Sequence, residues 1–170
     1  RPINLIVPWG AGGSTDLAAR IVMQRLSDAL GQPIVVDNRP GAGSLNGTET
    51  VAKAAPDGHT LLAVAASFTI NPSLHERLPF DPLRDFIPIT RIAALPHILV
   101  VHPTLPVKNL KEFITLARAR PDALSYASSG NGTITHLSGE LFKMLTGVRV
   151  IHVPYKGGAP ALTALISGEV

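Results

Sequence analysis

The chain has 170 residues, of which 45% are hydrophobic and 16% are charged, and its formal net charge is +3. This composition is typical of a folded protein with a buried core and excludes an intrinsically disordered chain, while the scattered basic residues give no reason to expect a nucleic-acid partner. The absence of cysteine excludes disulfides and thiol chemistry, and no apolar run reaches the roughly 18 residues that span a bilayer, so direct membrane insertion is not expected.

The first part of the chain alternates short apolar strands with helices. A strand at residues 5–9 is followed by a helix at residues 14–30, and Gly31 suits the left-handed cap of that helix. The residues expected on the apolar face of this helix are Leu17, Ile21, Val22, Leu26 and Leu30. Further strands are predicted at residues 34–36 and 60–65, with a helix at residues 45–55 between them. Three apolar strands separated by helices indicate a parallel sheet that is covered on both faces.

The middle of the chain, residues 71–106, is irregular and rich in proline, and its best candidate for a strand is at residues 97–101. We therefore predict one α/β lobe at residues 1–98 and a second at residues 99–170. The elements predicted in the second lobe are a helix at residues 110–119, a strand at 124–127, a helix at 134–145 capped by Gly147, a strand at 148–153 and a final helix ending at Gly168. Because Glu169 and Val170 look like the start of another strand, the second lobe is expected to be incomplete and the natural chain to continue.

A pattern of strand, Gly/Ser/Thr loop and helix occurs twice, with the loops at residues 10–16 and 128–133. Each loop would present free backbone N–H groups and the positive end of a helix dipole. One such loop is equally consistent with a simple turn, since a sharp connection from strand to helix requires glycine. Two of them indicate two lobes that face one small anion. The hydroxyl and amide side chains exceed what helix capping requires and fit a carboxylate held by uncharged donors: Ser14, Thr15, Ser128, Ser129, Asn131 and Thr133.

Three further residues near the loops have more specific interpretations. Asp16 would repel an anion, so we expect it to cap its own helix or to accept a hydrogen bond from a ligand amine or hydroxyl. Trp9 would form an apolar wall of the site or belong to the core. His136 lies in the first turn of the second helix, where the helix dipole favours a neutral imidazole that donates one hydrogen bond. The six histidines show no ligand spacing on one helix, so neither a metal nor another cofactor is expected.

Two other functions remain open from the residues. The sequence Gly10-x-Gly12-x-x-Thr15 after a strand, with Asp37 ending the next strand, is close to a dinucleotide fingerprint and would make the protein a nucleotide-binding α/β enzyme. It departs from that fingerprint at Thr15, where a small residue normally lets helix and strand pack closely. Neither a Walker lysine nor a Gly-x-Ser-x-Gly elbow is present. A ligand-sensing domain that signals through a partner protein is the other alternative.

Several motifs in one order resemble those of the extracytoplasmic solute receptors of tripartite tricarboxylate transporters, often called Bug or TctC-like receptors. The motifs are the stretches at residues 5–9 and 12–16, 36–43, 52–58, 128–133, 136–142 and 152–157. Together they make the resemblance extend over essentially the whole chain.

The resemblance implies a periplasmic binding protein-like fold of type II, a "Venus flytrap" of two doubly wound α/β lobes. It implies a non-enzymatic, monomeric periplasmic receptor that captures a small carboxylate between the lobes and delivers it to the membrane permease subunits of the transporter. The carboxylate could be a dicarboxylate, a tricarboxylate, an amino acid or an aromatic acid. Carried over by position, the ligand-binding residues are Trp9, Gly12, Gly13, Ser14, Thr15, Asp16, Ser67, Ser128, Ser129, Gly130, Asn131, Gly132, Thr133 and His136.

Overall fold

The computed structural model describes residues 1–170, which form two compact units, Arg1–Leu95 and Pro96–Val170. Both units are of the α/β type with parallel strands, as predicted. The predicted boundary between residues 98 and 99 stays a prediction, since a division into compact units does not test whether each part folds by itself. No helix in either unit is long and apolar enough to cross a membrane.

The first unit contains a three-stranded sheet with helices packed on it. Its elements are β1 (Ile3–Val7), α1 (Ser14–Leu30), β2 (Ile34–Asn38), a 3-10 turn (Ala42–Ser44), α2 (Leu45–Ala52), β3 (Thr60–Leu62) and α3 (Ser67–Leu74). The strand order is β2-β1-β3, all parallel, and the register places Leu5 beside Val36 on one side and Leu61 on the other. The central position of β1 explains why its second half is a continuous buried apolar run.

Alternate residues of β1 face opposite sides of the sheet. Leu5 and Val7 belong to a core cluster that also contains Ala19 and Met23 of α1. Ile6 is buried but lies outside this cluster, as the two-residue period of a strand requires. α2 packs against β1 and β3, and a Cβ atom on its Gly47 would lie 2.6 Å from the Cβ of Pro8. The end of β1 that leads into the first loop is therefore tightly packed.

The bounds predicted for α1 are confirmed, but the predicted buried face is wrong. Leu17, Ile21 and Leu30 are 53%, 69% and 52% exposed. The residues that α1 buries are Asp16, Ala19 and Met23, with Leu26 partly buried against the core. The sequence offers two apolar stripes on this helix, and the sheet contacts the one with the small Ala19, which lets the helix axis come close to the strands.

The remaining differences in the first unit concern the ends of elements. β3 has three residues instead of six, and α2 ends at Ala52 instead of residue 55. α3 was not predicted at all, because Pro72 inside it removes a backbone donor and normally argues against a helix. Phe68 of α3 packs edge-on against Phe86, at 5.2 Å between ring centroids, which adds tertiary stabilisation that local propensity does not contain.

The second unit repeats the alternation with two parallel strands. Its elements are α4 (Leu110–Ala119), β4 (Ser125–Ser128), α5 (Ile134–Thr146), β5 (Ile151–Pro154) and α6 (Gly158–Ser167). β4 pairs with β5, and the register places Ser128 beside Pro154. The core consists of Ala117, Val148 and Val150, with partly buried neighbours that include Phe142. Gly147 and Gly168 end α5 and α6, as predicted, and both adopt the left-handed conformation.

The strand predicted at residues 97–101 is wrong, because this segment has no regular secondary structure. No strand lies beside it to accept its backbone hydrogen bonds, and Ile98 is 80% exposed. β5 begins at Ile151 instead of residue 148. Val148 and Val150 precede this strand and are buried in the core. Residues 169 and 170 are not in a strand.

Candidate functional site

The loops of interest follow the carboxyl ends of parallel strands. In the first unit these are the connection from β1 to α1, the connection from β2 to α2 and the connection from β3 to α3. In the second unit they are the connections from β4 to α5 and from β5 to α6. In open parallel sheets, this edge is where ligands bind, because strand ends and helix N-termini meet there.

The loop from β1 to α1 leaves backbone donors free. Gly12 has a φ of 80°, and Gly13 is the extended residue that begins the helix, with no side-chain cap. The first helical bond is donated by the Leu17 N–H to the Gly13 carbonyl, so the N–H groups of Ser14 and Thr15 have no protein acceptor. The hydroxyls of Ser14 and Thr15 also make no hydrogen bond within the protein. This loop therefore offers both backbone and side-chain donors at the positive end of α1.

The side chain of Asp16 holds this loop closed. Its side chain is 2% exposed and accepts hydrogen bonds from the Gly12 N–H at 2.8 Å, from Arg20 Nε at 3.0 Å and from Asn38 Nδ2 at 2.9 Å. Burial raises the pKa of Asp16, but the hydrogen bonds from Arg20, Gly12 and Asn38 outweigh it and hold the pKa below its ordinary value. The helix has no side-chain cap, so the structure does not show the capping role predicted for Asp16; its carboxylate instead fixes the loop that precedes the helix.

Sequence reasoning missed Asn38 and Arg20. Asn38 donates to the Trp9 carbonyl at 3.0 Å and accepts from Arg20 Nη2 at 2.8 Å, in addition to its bond to Asp16. The available signal was its place as the last residue of β2, beside Val7 in the register. The dinucleotide fingerprint singled out the preceding residue, Asp37, as its acidic residue, and Asn38 was therefore overlooked.

Asp37 does not reach the first loop. Its carboxylate forms an ion pair with Arg39 Nε at 2.8 Å, and it lines a groove with Ile6 and Thr50, on the face of the sheet that α2 covers. Its neighbour Asn38 is on the other face, since side chains alternate along a strand. The structure thus gives no support to a ribose-binding role for this acid.

The loop from β4 to α5 closes in the same way as the first loop. Gly132 has a φ of 73°, and Thr133 is the extended residue before the helix, again without a side-chain cap. The Gly132 N–H donates to His136 Nδ1 at 3.2 Å, which is the four-residue relation of Gly12 to Asp16. The N–H groups of Ile134 and Thr135 have no protein acceptor. His136 thus acts as an acceptor at Nδ1, and the hydrogen bond predicted to leave this ring would have to come from Nε2.

Most hydroxyls of the second loop are already bonded within it. Thr135 was missed, yet its Oγ1 lies at 3.0 Å from the Ser129 N–H, 2.8 Å from Ser129 Oγ and 3.0 Å from Thr133 Oγ1. Thr133 Oγ1 donates to the Gly130 carbonyl at 2.6 Å. The side chain of Asn131 is exposed and makes no hydrogen bond in the protein. The hydroxyls that seemed to be in excess therefore hold the loop rigid, and Asn131 is its free side-chain donor.

His152 supports the second loop from β5 and was also missed. Its Nε2 lies 2.7 Å from Ser128 Oγ, and its ring stacks on the ring of His136 with 4.2 Å between centroids. The ring of Tyr126 also stacks on that of His152, with 4.9 Å between centroids. Burial lowers the pKa of His152, with further lowering by His136 and Lys143 and an opposing effect of Glu140.

Tyr126 anchors this stack to α5. Its hydroxyl donates to Glu140 Oε1 at 2.8 Å, and Lys143 Nζ lies 2.9 Å from the same oxygen. Burial raises the pKa of Tyr126 well above its ordinary value, and Glu140 raises it further. A Cβ on Gly139 would lie 2.3 Å from the tyrosine ring, so glycine is needed for this contact.

Several predicted ligand residues are buried, and Trp9 and Ser67 are the two of them that lie outside the two Gly/Ser/Thr loops. Trp9 is 8% exposed and belongs to the core cluster of the first unit. Ser67 is 1% exposed at the start of α3, and its Oγ lies 3.1 Å from Ser44 Oγ. Gly130 lies against the loop from β5 to α6, since a Cβ there would be 3.2 Å from the Tyr155 carbonyl oxygen. No group of three or more His, Cys, Asp or Glu residues is placed to hold a metal ion.

Comparison with known proteins gives consistent matches. The family model described as "Tripartite tricarboxylate transporter family receptor" matches residues 18–170. Protein BugT of Bordetella pertussis (strain Tohama I) is 41% identical over 172 residues, which cover 100% of this chain and 53% of BugT. The chain thus spans about half the length of the curated relatives it matches.

Two solved structures add information about ligands in similar proteins. The structure described as R. palustris Rpa4515 with adipate matches with a TM-score of 0.95 at 41% identity, over 100% of this chain and 57% of that one. MatC (Rpa3494) from Rhodopseudomonas palustris with bound malate matches with a TM-score of 0.89 at 35% identity, over 100% of this chain and 58% of that one.

Proposed function

Because the chain belongs to the family of tripartite tricarboxylate transporter receptors, we propose that it serves in a periplasmic receptor that captures a small carboxylate for a membrane permease. The family and the fold class predicted from the motifs are both confirmed. The observation that carries the proposal is the pair of loops that close alike and leave backbone donors free at two helix N-termini. Since this family is one of receptors, we expect no catalytic activity.

The direct contacts in this proposal come from groups without a partner in the protein. In the first loop they are the N–H groups and hydroxyls of Ser14 and Thr15, and in the second loop the N–H groups of Ile134 and Thr135 with the side chain of Asn131. Uncharged donors at helix N-termini stabilise a carboxylate without a dedicated cation. Arg20, the cation nearest in sequence to the first loop, is engaged by Asp16.

The other predicted residues act through the shape of the loops. Gly12 and Gly132 provide the left-handed turns, and Asp16 and His136 hold them closed. The hydrogen bonds that fix the second loop also involve Ser128, Ser129, Gly130 and Thr133. Gly13 begins α1, and Trp9 and Ser67 pack beneath the first unit's loops. A rigid loop loses little conformational entropy on binding, which favours affinity.

The ligand class that we favour is a short dicarboxylate. Adipate and malate, the ligands in the two similar structures, are both of this class. Two donor loops in one chain also suit a ligand with two anionic ends. The capture of one ligand by both loops is part of this proposal.

The experiment that tests the proposal is calorimetric titration of the protein with adipate and with malate, with NAD and ATP in parallel. Ser14→Asp and Asn131→Asp each add one negative charge to a loop, and Gln24→Glu adds the same charge to an exposed position of α1. Two like charges about 5 Å apart repel by about 3 kcal/mol at an effective dielectric constant of about 20. After allowance for exposure, each loop variant should weaken dicarboxylate binding at least about tenfold, which is about 1.4 kcal/mol, and the control should not.

The two alternatives give different results in the same titration. Saturable binding of NAD or ATP without dicarboxylate binding would favour the nucleotide-binding enzyme. Dicarboxylate binding that neither loop variant weakens would place the ligand elsewhere and reject the proposed site. A ligand-sensing role in signalling shares the binding step, and it is distinguished by uptake of labelled dicarboxylate in cells with and without the receptor.

A further inference from the structure

The two loops are closed by side chains with different acid–base behaviour. The first loop uses the carboxylate of Asp16 and the second uses the imidazole of His136, each accepting from the N–H of the glycine four residues earlier. A carboxylate stays an acceptor from neutral pH down to strongly acidic pH. An imidazole nitrogen accepts only while the ring is neutral, and histidine is the side chain that ordinarily changes charge between about pH 5 and 8.

We propose that His136 is a positioning residue whose neutral ring closes the second loop, and that its protonation opens this loop while the first loop stays closed. Protonation would place an N–H on Nδ1 facing the Gly132 N–H at the present distance of 3.2 Å. Two donors cannot share a hydrogen bond, so the bond that fixes Gly132 is lost. The free N–H groups of Ile134 and Thr135 then lose their alignment.

The neighbours of His136 provide no free acidic group that would hold a protonated ring in its present place. The ring of His152 from β5 stacks on the His136 ring at 4.2 Å. His136 lies in the first turn of α5, at the positive end of the helix dipole. The acidic group nearby is Glu140, and it is already engaged by Lys143 and by the hydroxyl of Tyr126 from β4. A protonated His136 therefore has no uncommitted acidic group among these neighbours to hold it in its present place.

The stack links His136 to Ser128 as well. His152 Nε2 lies 2.7 Å from Ser128 Oγ, which also accepts from the Gly130 N–H at 3.1 Å. Displacement of the His136 ring would remove its stacking contact with His152. His152 could then move as well, which would weaken its hydrogen bond with Ser128 at the start of the loop. Movement is thus expected over residues 128–135 and not only at Gly132.

The test is a pH titration of the ligand-free, isotope-labelled protein from pH 8 to 5, followed by NMR. We expect the Gly132 amide to shift with the same midpoint as the His136 ring nitrogens, while the Gly12 amide stays in place. In His136→Asn, an amide oxygen replaces the titrating acceptor, and the transition of the Gly132 amide should vanish. His75→Asn, at an exposed histidine of the first unit, should leave it unchanged. A Gly132 amide that does not move while His136 titrates would overturn the proposal.

A second measurement extends the inference to ligand binding, and this part rests on the proposed function. Adipate affinity is compared between the wild-type protein and His136→Asn at pH 8 and pH 5.5, so that titration of adipate itself cancels in the ratio. We expect the wild-type protein to lose at least about fivefold more affinity than the variant over this range, and an equal loss in both would reject the link to binding. If adipate binds at neither pH while the Gly132 transition is present, the proposed function fails and the loop switch stands.

Discussion

Asp16→Ala should destabilise the first unit more than any other single change in the first loop. The substitution removes the acceptor of the Gly12 N–H, of Arg20 Nε and of Asn38 Nδ2, which lie at 2.8, 3.0 and 2.9 Å. Gly12 and Arg20 are exposed and regain water, so each of these two bonds is worth about 0.5–1 kcal/mol net. Asn38 is partly buried and loses a charged partner, which costs about 1.5–3 kcal/mol. The sum is about 2.5–5 kcal/mol.

The assay is urea denaturation at pH 7 with the free energy of unfolding taken from linear extrapolation. Asp28→Ala in the same helix is the matched control, because Asp28 is exposed and its side chain makes no hydrogen bond, so a change within about 0.5 kcal/mol is expected. Asp16→Asn keeps the shape but not the charge and should fall between the two. A loss below about 1 kcal/mol for Asp16→Ala would show that the loop closes without the carboxylate and would refute the reasoning.

Three further predictions concern other parts of the chain. Thr135→Val keeps the volume but removes the hydroxyl that bonds Ser129, and it should cost about 1–3 kcal/mol in urea denaturation; an unchanged midpoint would contradict the network. Gly47→Ala should cost at least about 2 kcal/mol, since its Cβ would lie 2.6 Å from Pro8, while Gly158→Ala, with open space around it, should be nearly neutral in the same assay. The lowered pKa of His152 means that the folded protein resists its protonation, so stability is fully present above the ordinary histidine value of 6.5 and declines as the pH falls from there toward the folded pKa; melting temperatures at pH 7.5 and 5.5 should differ less in His152→Gln than in the wild-type protein.

The periodicity of the sequence was sufficient to predict five of the six helices and the five observed strands in their order. α1 and α4 have the predicted bounds, and α5 differs at its end by one residue, because capping glycines and regular apolar spacing are local signals. α3 and the segment at residues 97–101 were not predictable in this way. A helix that contains Pro72 depends on tertiary contacts, and an apolar segment becomes a strand only where another strand is beside it.

For the site, the sequence by itself determined where donors are available. Two glycine-rich turns leading into helices leave N–H groups free whatever the rest of the chain does, and the order of the motifs along the chain was specific enough to indicate the family. Only the tertiary structure decided which side chains are free to meet a ligand. The hydroxyls of Ser128 and Thr133 and the carboxylate of Asp16 form hydrogen bonds within the protein. Two of their partners, Asn38 and His152, lie on neighbouring strands, and the spacing of residues in the sequence does not show that they are close.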